Sequence, residues 1–323
     1  MTLHRREFLA LAAGAASLAA SPRFAFAESY PTRPVRIDVG VPPGLGPDIV
    51  ARLLAQRLSD RLGQQFIVEN HPGAGTNLAA ELVARAAPDG YTLALLTTAN
   101  AVNATLYGEA KVSVVTDFAP VASIGDSPFV MVVNPSVPAR TVAEFIAYAK
   151  ANPGKINMAS AGPGTPPHIF GELFKMMAHV DMLHVPYRGN FYQDLLGGRV
   201  QVAFGNIVSS IEYIRGGKLR PLGVTTAKRA EALPDVPAIA ETVPGYAASA
   251  WYGVGAPKGT PADVVAVLNR QINGILGDAA FAARLAVDGA APLEMSSEQF
   301  ARLIVAETRK WAQVVKFADI KPR

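Results

Sequence analysis

The sequence predicts an α/β protein of two lobes with a ligand cleft between them. From Val35 onwards, short apolar segments alternate with amphipathic helical segments, and this alternation restarts after Asp126. The chain then closes with two long helical segments, at residues 261–285 and 297–317. Such alternation is typical of parallel sheets whose faces are covered by helices.

The first block has the order βαβαβ. Its first helix begins near Pro47, because Val50, Leu54 and Leu58 recur every four residues on one apolar face. Pro47 suits the first turn of a helix, and Gly63 suits its end. The predicted strands are residues 35–39, 65–69 and 91–96, and the second helix is residues 76–86.

The second block repeats this pattern. Thr141 is the expected N-cap of a helix at residues 141–151, with Glu144 placed to complete a capping box. The other predicted helix is residues 167–177. The predicted strands are residues 129–133, 156–159, 182–185, 200–204 and 219–225. A Pro-rich connector, residues 233–246, leads to a last strand at residues 250–255.

The two blocks define the expected lobes. We assign residues 28–126 and 251–323 to lobe 1 and residues 127–250 to lobe 2. The strands at Phe129 and Trp251 are the expected hinge crossings, with Leu222 as the alternative for the second.

The N-terminus predicts export. Arg5 and Arg6 precede a short apolar stretch, and Ala25-Phe26-Ala27 is a cleavage pattern of small residues. Residues 1–27 are therefore expected to be a signal peptide of the twin-arginine type, with an ordinary secretory signal as the alternative. Cleavage after Ala27 would leave a soluble periplasmic protein, and the chain contains no Cys to anchor a lipid.

Composition excludes several classes of function. The formal net charge is +4, and three of the basic residues lie in the predicted signal, so only a small basic surplus remains. The chain has no run of Lys and Arg, and nucleic acid is not an expected partner. Since Cys is absent, thiol chemistry and cysteine metal sites are excluded.

Three polar connections follow the strands of the first block, where open parallel sheets bind ligands. Glycines let backbone N–H groups approach a ligand, and a helix N-terminus favours negative charge, so a carboxylate or phosphate is expected. The alternatives are a plain turn and, for Asp48 and Arg52, an exposed ion pair. The candidate binding residues are Val41, Pro42, Pro43, Gly44, Leu45, Gly46, Asp48, Thr76, Asn77, Thr98, Ala99 and Asn100.

A dinucleotide site is a second hypothesis for the first of these connections. Gly44 and Gly46 form part of a G-x-G-x-x-G pattern, and Glu69 ends the next strand. However, Ile49 occupies the third glycine position, and Pro42-Pro43 removes two N–H donors. We therefore favour a simple anion site.

Matching connections in the second block supply hydroxyls and further glycines. Tyr187 could stack on a ligand and Arg188 could pair with a carboxylate. Packing of Tyr187 and solvation of Arg188 are the alternatives. The candidate binding residues here are Ser160, Ala161, Gly162, Gly164, Thr165, His168, Tyr187, Arg188, Gly189, Gly205 and Asn206.

Catalytic patterns are absent from the sequence. It contains no G-x-S-x-G, no H-E-x-x-H and no acidic cluster with metal-ligand spacing. The histidines beyond the signal are His71, His168, His179 and His184, and none are paired four residues apart. We expect no catalytic residue, metal or cofactor, although a triad assembled across loops stays an alternative.

These motifs, taken in order, resemble the substrate-binding proteins of tripartite tricarboxylate transporters, the Bug family. The resemblance covers nearly the whole chain after the signal. The matching segments are residues 30–35, 42–52, 68–75, 87–93, 117–121, 160–162, 171–174, 184–189, 194–198 and 233–237.

The resemblance implies a type II periplasmic-binding-protein fold, two lobes that close on a small organic acid, and membrane subunits of a transporter as partners. It also implies a monomer that binds through backbone N–H groups and catalyses nothing. Presentation of the ligand to a membrane sensor kinase is one alternative, and an exported α/β enzyme is another.

Two departures from the family pattern bear on the ligand. Leu45 replaces a glycine, which favours an apolar part of the ligand near it. Gly205 stands where amino-acid binders carry Asp, which disfavours an amino acid.

Overall fold

A computed structural model of the chain describes residues 30–108, 112–188, 190–287 and 289–322. The expected signal peptide, its cleavage site and the candidate residue Gly189 lie outside the described residues. Residues 33–323 form one compact unit by themselves. No described helix is both long and apolar enough to cross a membrane.

The first sheet has a parallel centre. Strand β1 pairs in parallel with β2 and β3, whereas β10 runs antiparallel between β3 and β4. The order across the sheet is β11-β4-β10-β3-β1-β2. Its strands are β1 (Val35–Val39), β2 (Phe66–Asn70), β3 (Thr92–Thr97), β4 (Phe118–Ser127), β10 (Ala250–Pro257) and β11 (Ala291–Pro292).

Three helices follow the strands of this sheet, namely α1 (Gly46–Leu62), α2 (Asn77–Ala84) and α3 (Thr98–Leu106). A 3₁₀ turn, Ala74–Thr76, precedes α2. Val50, Leu54 and Leu58 of α1 are buried, which confirms the apolar face predicted from their spacing. Gly63 ends α1 in the left-handed region, with φ of 68°.

The second sheet also has parallel strands at its centre. β6 lies between β7 and β8 and is parallel to both, and β5 is antiparallel to β8 and β9. The order is β7-β6-β8-β5-β9. Its strands are β5 (Phe129–Val133), β6 (Asn157–Ser160), β7 (Leu183–Pro186), β8 (Val202–Asn206) and β9 (Arg220–Val224). Its helices are α4 (Val142–Ala151), α5 (Pro166–Ala178), α6 (Tyr192–Leu196) and α7 (Ile207–Arg215).

The C-terminal region differs from the prediction of one helix over residues 261–285. It forms α8 (Ala262–Leu276) and α9 (Ala279–Val287) instead. The break lies at Gly277 and Asp278, because Asp278 Oδ1 accepts a hydrogen bond from Phe281 N at 2.9 Å and so starts a new helix. The last helix, α10 (Ser297–Phe317), has the predicted bounds.

The chain passes between the sheets twice. Pro128 separates β4 from β5, and residues 225–249 connect β9 to β10. One apolar cluster contains Leu96 of the first sheet, Phe204 of the second sheet and Trp311 of α10. Trp311 of α10 stacks on Phe170 of α5, with ring centroids 5.6 Å apart. The two-sheet architecture is thus present, while the lobe boundaries stay a prediction.

The sequence analysis did not predict β4, β11, α3, α6 or α7, and it predicted a polar loop where α3 begins. β4 has a mixed pattern that contains Pro120 and Gly125, and its pairing with β10 is irregular at two places. Helix α7 lies between the predicted strands at residues 200–204 and 219–225, where the sequence analysis predicted no element. The predicted polar loop at residues 97–100 is wrong, because Thr98 already begins α3. Hydrogen bonds between side chains and backbone decide this start, and the hydrophobic pattern does not show them.

Candidate functional site

The candidate residues lie where strands end and helices begin. Helices α1 and α3 follow β1 and β3 in the first sheet, and α5 and α7 follow β6 and β8 in the second. At such carboxyl edges of parallel strands an α/β protein presents loops and helix N-termini to ligands. The four helix starts differ in which of their N–H groups are free.

Asp48 organises the connection between β1 and α1. Its carboxylate accepts hydrogen bonds from Gly44 N at 2.8 Å, Arg52 Nε at 3.0 Å and Asn70 Nδ2 at 2.8 Å. Asn70 also donates to Val41 O at 2.9 Å, which ties the loop to β2. The alternative of an ion pair between Asp48 and Arg52 is confirmed, but only Arg52 is exposed, since Asp48 is 1% exposed. Asp48 holds the loop, and its carboxylate is occupied from within the protein.

The pKa of Asp48 records this environment. Burial would raise the pKa, but the hydrogen bonds from Arg52, Gly44 and Asn70 outweigh burial and lower it below its ordinary value. Asp48 is consequently charged at neutral pH and keeps the loop in place.

The start of α1 offers free backbone donors. Leu45 is the N-cap residue, and its side chain makes no capping bond. The N–H groups of Leu45 and Gly46 have no hydrogen-bond acceptor among the described residues. The first turn of a 17-residue helix also carries partial positive charge. These two amides therefore form an anion-receptive position beside the half-exposed side chain of Leu45.

Hydrogen bonds within the chain hold the starts of α3 and α7, although Thr98 N and Ala99 N of α3 have no acceptor among the described hydrogen bonds. Thr97 N donates to Asn100 Oδ1 at 2.9 Å, and Asn206 Oδ1 accepts from Val208 N at 2.9 Å. Thr98 Oγ1 accepts from Trp251 N at 2.9 Å and so binds β10. Of the predicted residues on these two helices, Ala99 alone has no capping or strand contact among the described hydrogen bonds.

Thr76 and Asn77 support the first loop from the side. A side chain on Gly40 would lie 2.6 Å from Thr76 Cβ, so the backbone at the end of β1 packs directly against Thr76. Asn77 Oδ1 accepts from Asn103 Nδ2 at 3.1 Å, which joins α2 to α3. Asn77 Oδ1 thus serves the fold, whereas Thr76 Oγ1 is buried and has no hydrogen-bond partner among the described residues.

The loop between β6 and α5 contradicts the expectation that its glycines expose their donors. Gly162 N donates to Ser160 Oγ at 3.0 Å, and Gly164 N donates to His168 Nδ1 at 3.1 Å. Thr165 Oγ1 donates to Gly162 O at 2.6 Å. The next two residues are prolines, which have no N–H. Side-chain acceptors within the loop therefore use the donors that the sequence assigned to a ligand.

Two stacked histidines flank this loop. The rings of His168 and His184 lie 3.6 Å apart at an angle of 13°. His184 Nε2 is 2.6 Å from Ser160 Oγ. The sequence did not predict a role for His184, because it reaches Ser160 only through the pairing of β6 with β7.

The buried Glu172 lies beneath His168 on α5. Its Oε1 is 3.7 Å from His168 Nε2, and Lys175 Nζ is 2.9 Å from its Oε2. Burial alone would raise the pKa of Glu172, but the nearby His168 ring and the hydrogen bond from Lys175 lower it. The sequence analysis missed Glu172, although its spacing of four residues from His168 places the two on one helix face.

The structure favours the alternatives to ligand binding for Tyr187 and Arg188, namely packing of Tyr187 and solvation of Arg188. Tyr187 Oη donates to Asp194 Oδ2 at 2.7 Å, and burial and this carboxylate raise the pKa of Tyr187 to about 12. Arg188 is exposed.

The structure leaves no room for a side chain at residue 205. A side chain there would collide with Tyr192 Oη and would lie 2.6 Å from Ser210 Oγ.

An acidic cluster lies at the carboxyl ends of β1 and β2. Oxygen and nitrogen atoms of Asp38, Glu69 and His71 lie within 4.8 Å of one another. The sequence analysis missed it because Asp38 and Glu69 meet only across the β1–β2 ladder. Arg36 Nε is 2.8 Å from Asp38 Oδ1, so a cation of the protein already faces the buried carboxylate. The absence of a bound metal therefore stays a prediction.

Known proteins share this sequence along most of its length. The family model described as "Tripartite tricarboxylate transporter family receptor" matches residues 50–320. The chain belongs to this family. Protein BugT of Bordetella pertussis is 37% identical over 300 residues, which cover 91% of this chain and 92% of BugT.

Solved structures of the family have the same fold. Rpa4515 of R. palustris, solved with adipate, is 38% identical with a TM-score of 0.75, covering 91% of this chain and 100% of that one. MatC of Rhodopseudomonas palustris, solved with malate, is 31% identical with a TM-score of 0.71, covering 88% and 100%. A receptor from Polaromonas is 26% identical with a TM-score of 0.82, covering 89% and 99%.

Membership of the family confirms three predictions. The resemblance to the Bug proteins is confirmed, and so is the two-lobe α/β fold of periplasmic binding proteins. The family is one of solute-binding receptors and not of enzymes, so the chain is a receptor. Members of the family are periplasmic binding proteins.

Proposed function

We propose that this receptor binds a small organic acid by its carboxylate and that the start of α1 is the anchor. The free N–H groups of Leu45 and Gly46 carry the proposal, since they begin the 17-residue helix α1, whereas Asn206 caps α7 and α5 begins with two prolines. Relatives solved with adipate and malate support a carboxylate ligand. The half-exposed Leu45 favours an acid with an apolar segment.

The two lobes would close on this ligand. We place lobe 1 at residues 28–126 and 251–323 and lobe 2 at residues 127–250. A ligand that contacts both lobes favours the closed form by the free energy of those added contacts. The remaining candidate residues of both lobes would shape the cleft, and the membrane subunits of a tripartite transporter would receive the acid from a monomeric receptor.

Thermal unfolding against a panel of organic acids tests the ligand class. The protein, refolded to remove carried-over ligand, is heated with adipate, malate, aromatic acids, amino acids and amides. An acid at 100 times its dissociation constant adds about 2.7 kcal/mol to the free energy of unfolding and raises the midpoint by several degrees. A shift with amino acids or amides, and none with acids, contradicts the proposal.

Gly46→Pro tests the anchor itself. Proline removes the N–H of residue 46 but suits the first turn of a helix, and Leu45 already has the extended conformation required before proline, with φ of −84° and ψ of 158°. We expect Gly46→Pro to weaken binding of the acid at least about tenfold, which corresponds to about 1.4 kcal/mol.

Gly46→Ala is the matched control for this substitution. It keeps the N–H, and its added Cβ would make only an ordinary contact, 3.8 Å from Tyr252 Oη. Equal affinities of the two variants would place the anchor elsewhere.

Export by the twin-arginine route is a separate part of the proposal. It rests on Arg5, Arg6 and the cleavage pattern that ends at Ala27. Replacing both arginines by lysine keeps the charge and should leave the protein in the cytoplasm, as measured by fractionation. Undiminished export of this variant would indicate an ordinary secretory signal.

A further inference from the structure

The loop between β6 and α5 is held at two points by imidazole rings. His168 Nδ1 accepts from Gly164 N at 3.1 Å. His184 Nε2 contacts Ser160 Oγ at 2.6 Å, and the same Oγ accepts from Gly162 N at 3.0 Å. The conformation of residues 161–165 therefore depends on both histidines, which we call the histidine pair.

The bond from Gly164 requires one protonation state of His168. A ring nitrogen can accept a hydrogen bond only while it carries no proton. His168 is therefore neutral in this structure, with its proton on Nε2, which faces Glu172 Oε1. A proton added to Nδ1 would set two N–H groups against each other and break the bond to Gly164.

Groups that can stabilise a protonated His168 lie on one side of its ring only. Glu172 and Lys175 lie on its own helix, and His184 covers its ring from β7. Glu172 can stabilise a protonated His168 without any movement of the helix. Nothing on the loop side replaces the lost acceptor, since Gly164 offers only its N–H group there.

The stacking restricts the pair further. Two imidazolium rings 3.6 Å apart would repel each other strongly in this partly buried place. His168 is 4% exposed and Ser160 is fully buried, so water screens the contact poorly. A second proton must therefore separate the rings and pull His184 from Ser160.

We propose that His168 and His184 are positioning residues that, as a neutral pair, hold the ligand loop of lobe 2, and that protonation of the pair releases this loop. The proposal rests on the proposed function only for the statement that residues 161–165 face the ligand. It goes beyond that function by making capture of the acid depend on pH between about 5 and 8, where histidines titrate.

Nuclear magnetic resonance of the ligand-free protein, labelled with ¹⁵N at glycine and histidine, tests the first half. At pH 8, His168 should carry its proton on Nε2. As the pH falls, the amide signals of Gly162 and Gly164 should move with the same midpoint as the imidazole signals of the pair. Gly162 and Gly164 signals that stay constant while the pair titrates would overturn the proposal.

Substitutions of His168 separate positioning from bulk packing. Asn offers an acceptor oxygen near the place of Nδ1 and does not titrate, so His168→Asn should keep the Gly164 signal independent of pH. His168→Leu fills the space without an acceptor and should show the released loop at every pH. His179→Asn, at the exposed end of α5, is the control and should leave the response of wild type unchanged. If the Gly164 signal of His168→Leu matches that of wild type at pH 8, the proposal is also overturned.

Binding measurements test whether protonation of the pair weakens capture of the acid. Adipate is the probe. If adipate does not raise the melting midpoint, an acid that does so replaces it. Affinity should fall at least about tenfold between pH 8 and pH 5 in wild type and much less in His168→Asn. An equal fall in both proteins would place the pH dependence outside the pair. If no acid binds at any pH, the proposed function fails, while the magnetic resonance result still decides the role of the pair.

Discussion

At the scale of single residues, two buried aspartates show how the environment decides the role of a side chain. Asp38 and Asp48 lie near the two ends of the first loop and are almost wholly buried. Asp48 accepts three strong hydrogen bonds, which lower its pKa in spite of burial. Burial raises the pKa of Asp38, and the nearby Arg36 and His71 offset this increase only in part. The two carboxylates therefore change the stability of the fold in opposite directions.

Asp48→Asn should destabilise the protein at neutral pH. A lowered pKa means that the charged carboxylate contributes stability above its ordinary value of 3.8, and this contribution is lost as the pH falls through the lower folded value. We expect a loss of about 1–3 kcal/mol in urea unfolding at pH 7 and a smaller loss near pH 3. Asp60→Asn, on the exposed face of the same helix, is the control. A loss that does not depend on pH would contradict this account.

Asp38→Asn should act in the opposite sense. A raised pKa means that Asp38 favours the folded state below its ordinary value of 3.8 and that this stability is lost as the pH rises through the higher folded value. The amide removes the cost of the buried charge, while Arg36 keeps Glu69 at 3.7 Å as a partner. Thermal unfolding should show a higher midpoint than wild type at pH 7, with the difference vanishing near pH 3. A lower midpoint at pH 7 would show that the ion pair with Arg36 outweighs burial.

At the scale of elements, the helix starts divide into capped and uncapped ends. Thr141, Asn206 and Ser296 accept hydrogen bonds from their own first turns. Leu45 makes no such bond, although it begins one of the longest helices. A capped end is stabilised from within the chain, whereas an uncapped end leaves its donors to water or to a ligand. This contrast supports the proposal that the start of α1 anchors the ligand.

Thr141→Ala tests a structural cap. Thr141 Oγ1 accepts from Glu144 N at 3.1 Å, as the sequence predicted. Loss of this bond should lower the free energy of unfolding by about 1 kcal/mol, and Thr141→Ser should restore most of it. Affinity for the acid should not change in either variant, because α4 lies away from the candidate loops. Reduced affinity of Thr141→Ala for the acid would show that α4 contributes to the ligand site.

At the scale of the whole molecule, the two sheets share one apolar core. Phe170 of α5, Phe204 of β8 and Phe300 of α10 belong to the same buried cluster. Trp251 contacts Phe300 edge to face, with centroids 5.8 Å apart, and Trp311 stacks on Phe170. Helix α10 thereby connects the two sheets through its apolar face. We expect the sheets to unfold together, since neither can lose its core without exposing the other.

The only two tryptophans of the chain report on this coupling. Trp251→Phe leaves a probe beside α5, and Trp311→Phe leaves a probe in the first sheet. In each variant the fluorescence midpoint in urea should coincide with the midpoint of far-ultraviolet circular dichroism. Separate fluorescence and dichroism midpoints within one variant would show that the lobes unfold independently.

The sequence by itself determined the fold class, the family and most strands and helices, because hydrophobic periodicity and turn residues are local properties of the chain. It also placed most candidate residues at strand ends, although residues 98–100 belong to α3, and it predicted the cap at Thr141. What it could not decide was which donors remain free. That depends on contacts between residues distant in the sequence, such as Asn70 with Asp48 and His184 with Ser160.

Only the tertiary structure therefore separated the open start of α1 from the closed loop before α5. The same contacts turned Asp48 from a candidate ligand contact into a support of the loop and brought two distant histidines into a stack. Glycines and helix starts announce possible donors in a sequence. Whether a donor is already satisfied is decided by the side chains that folding brings next to it.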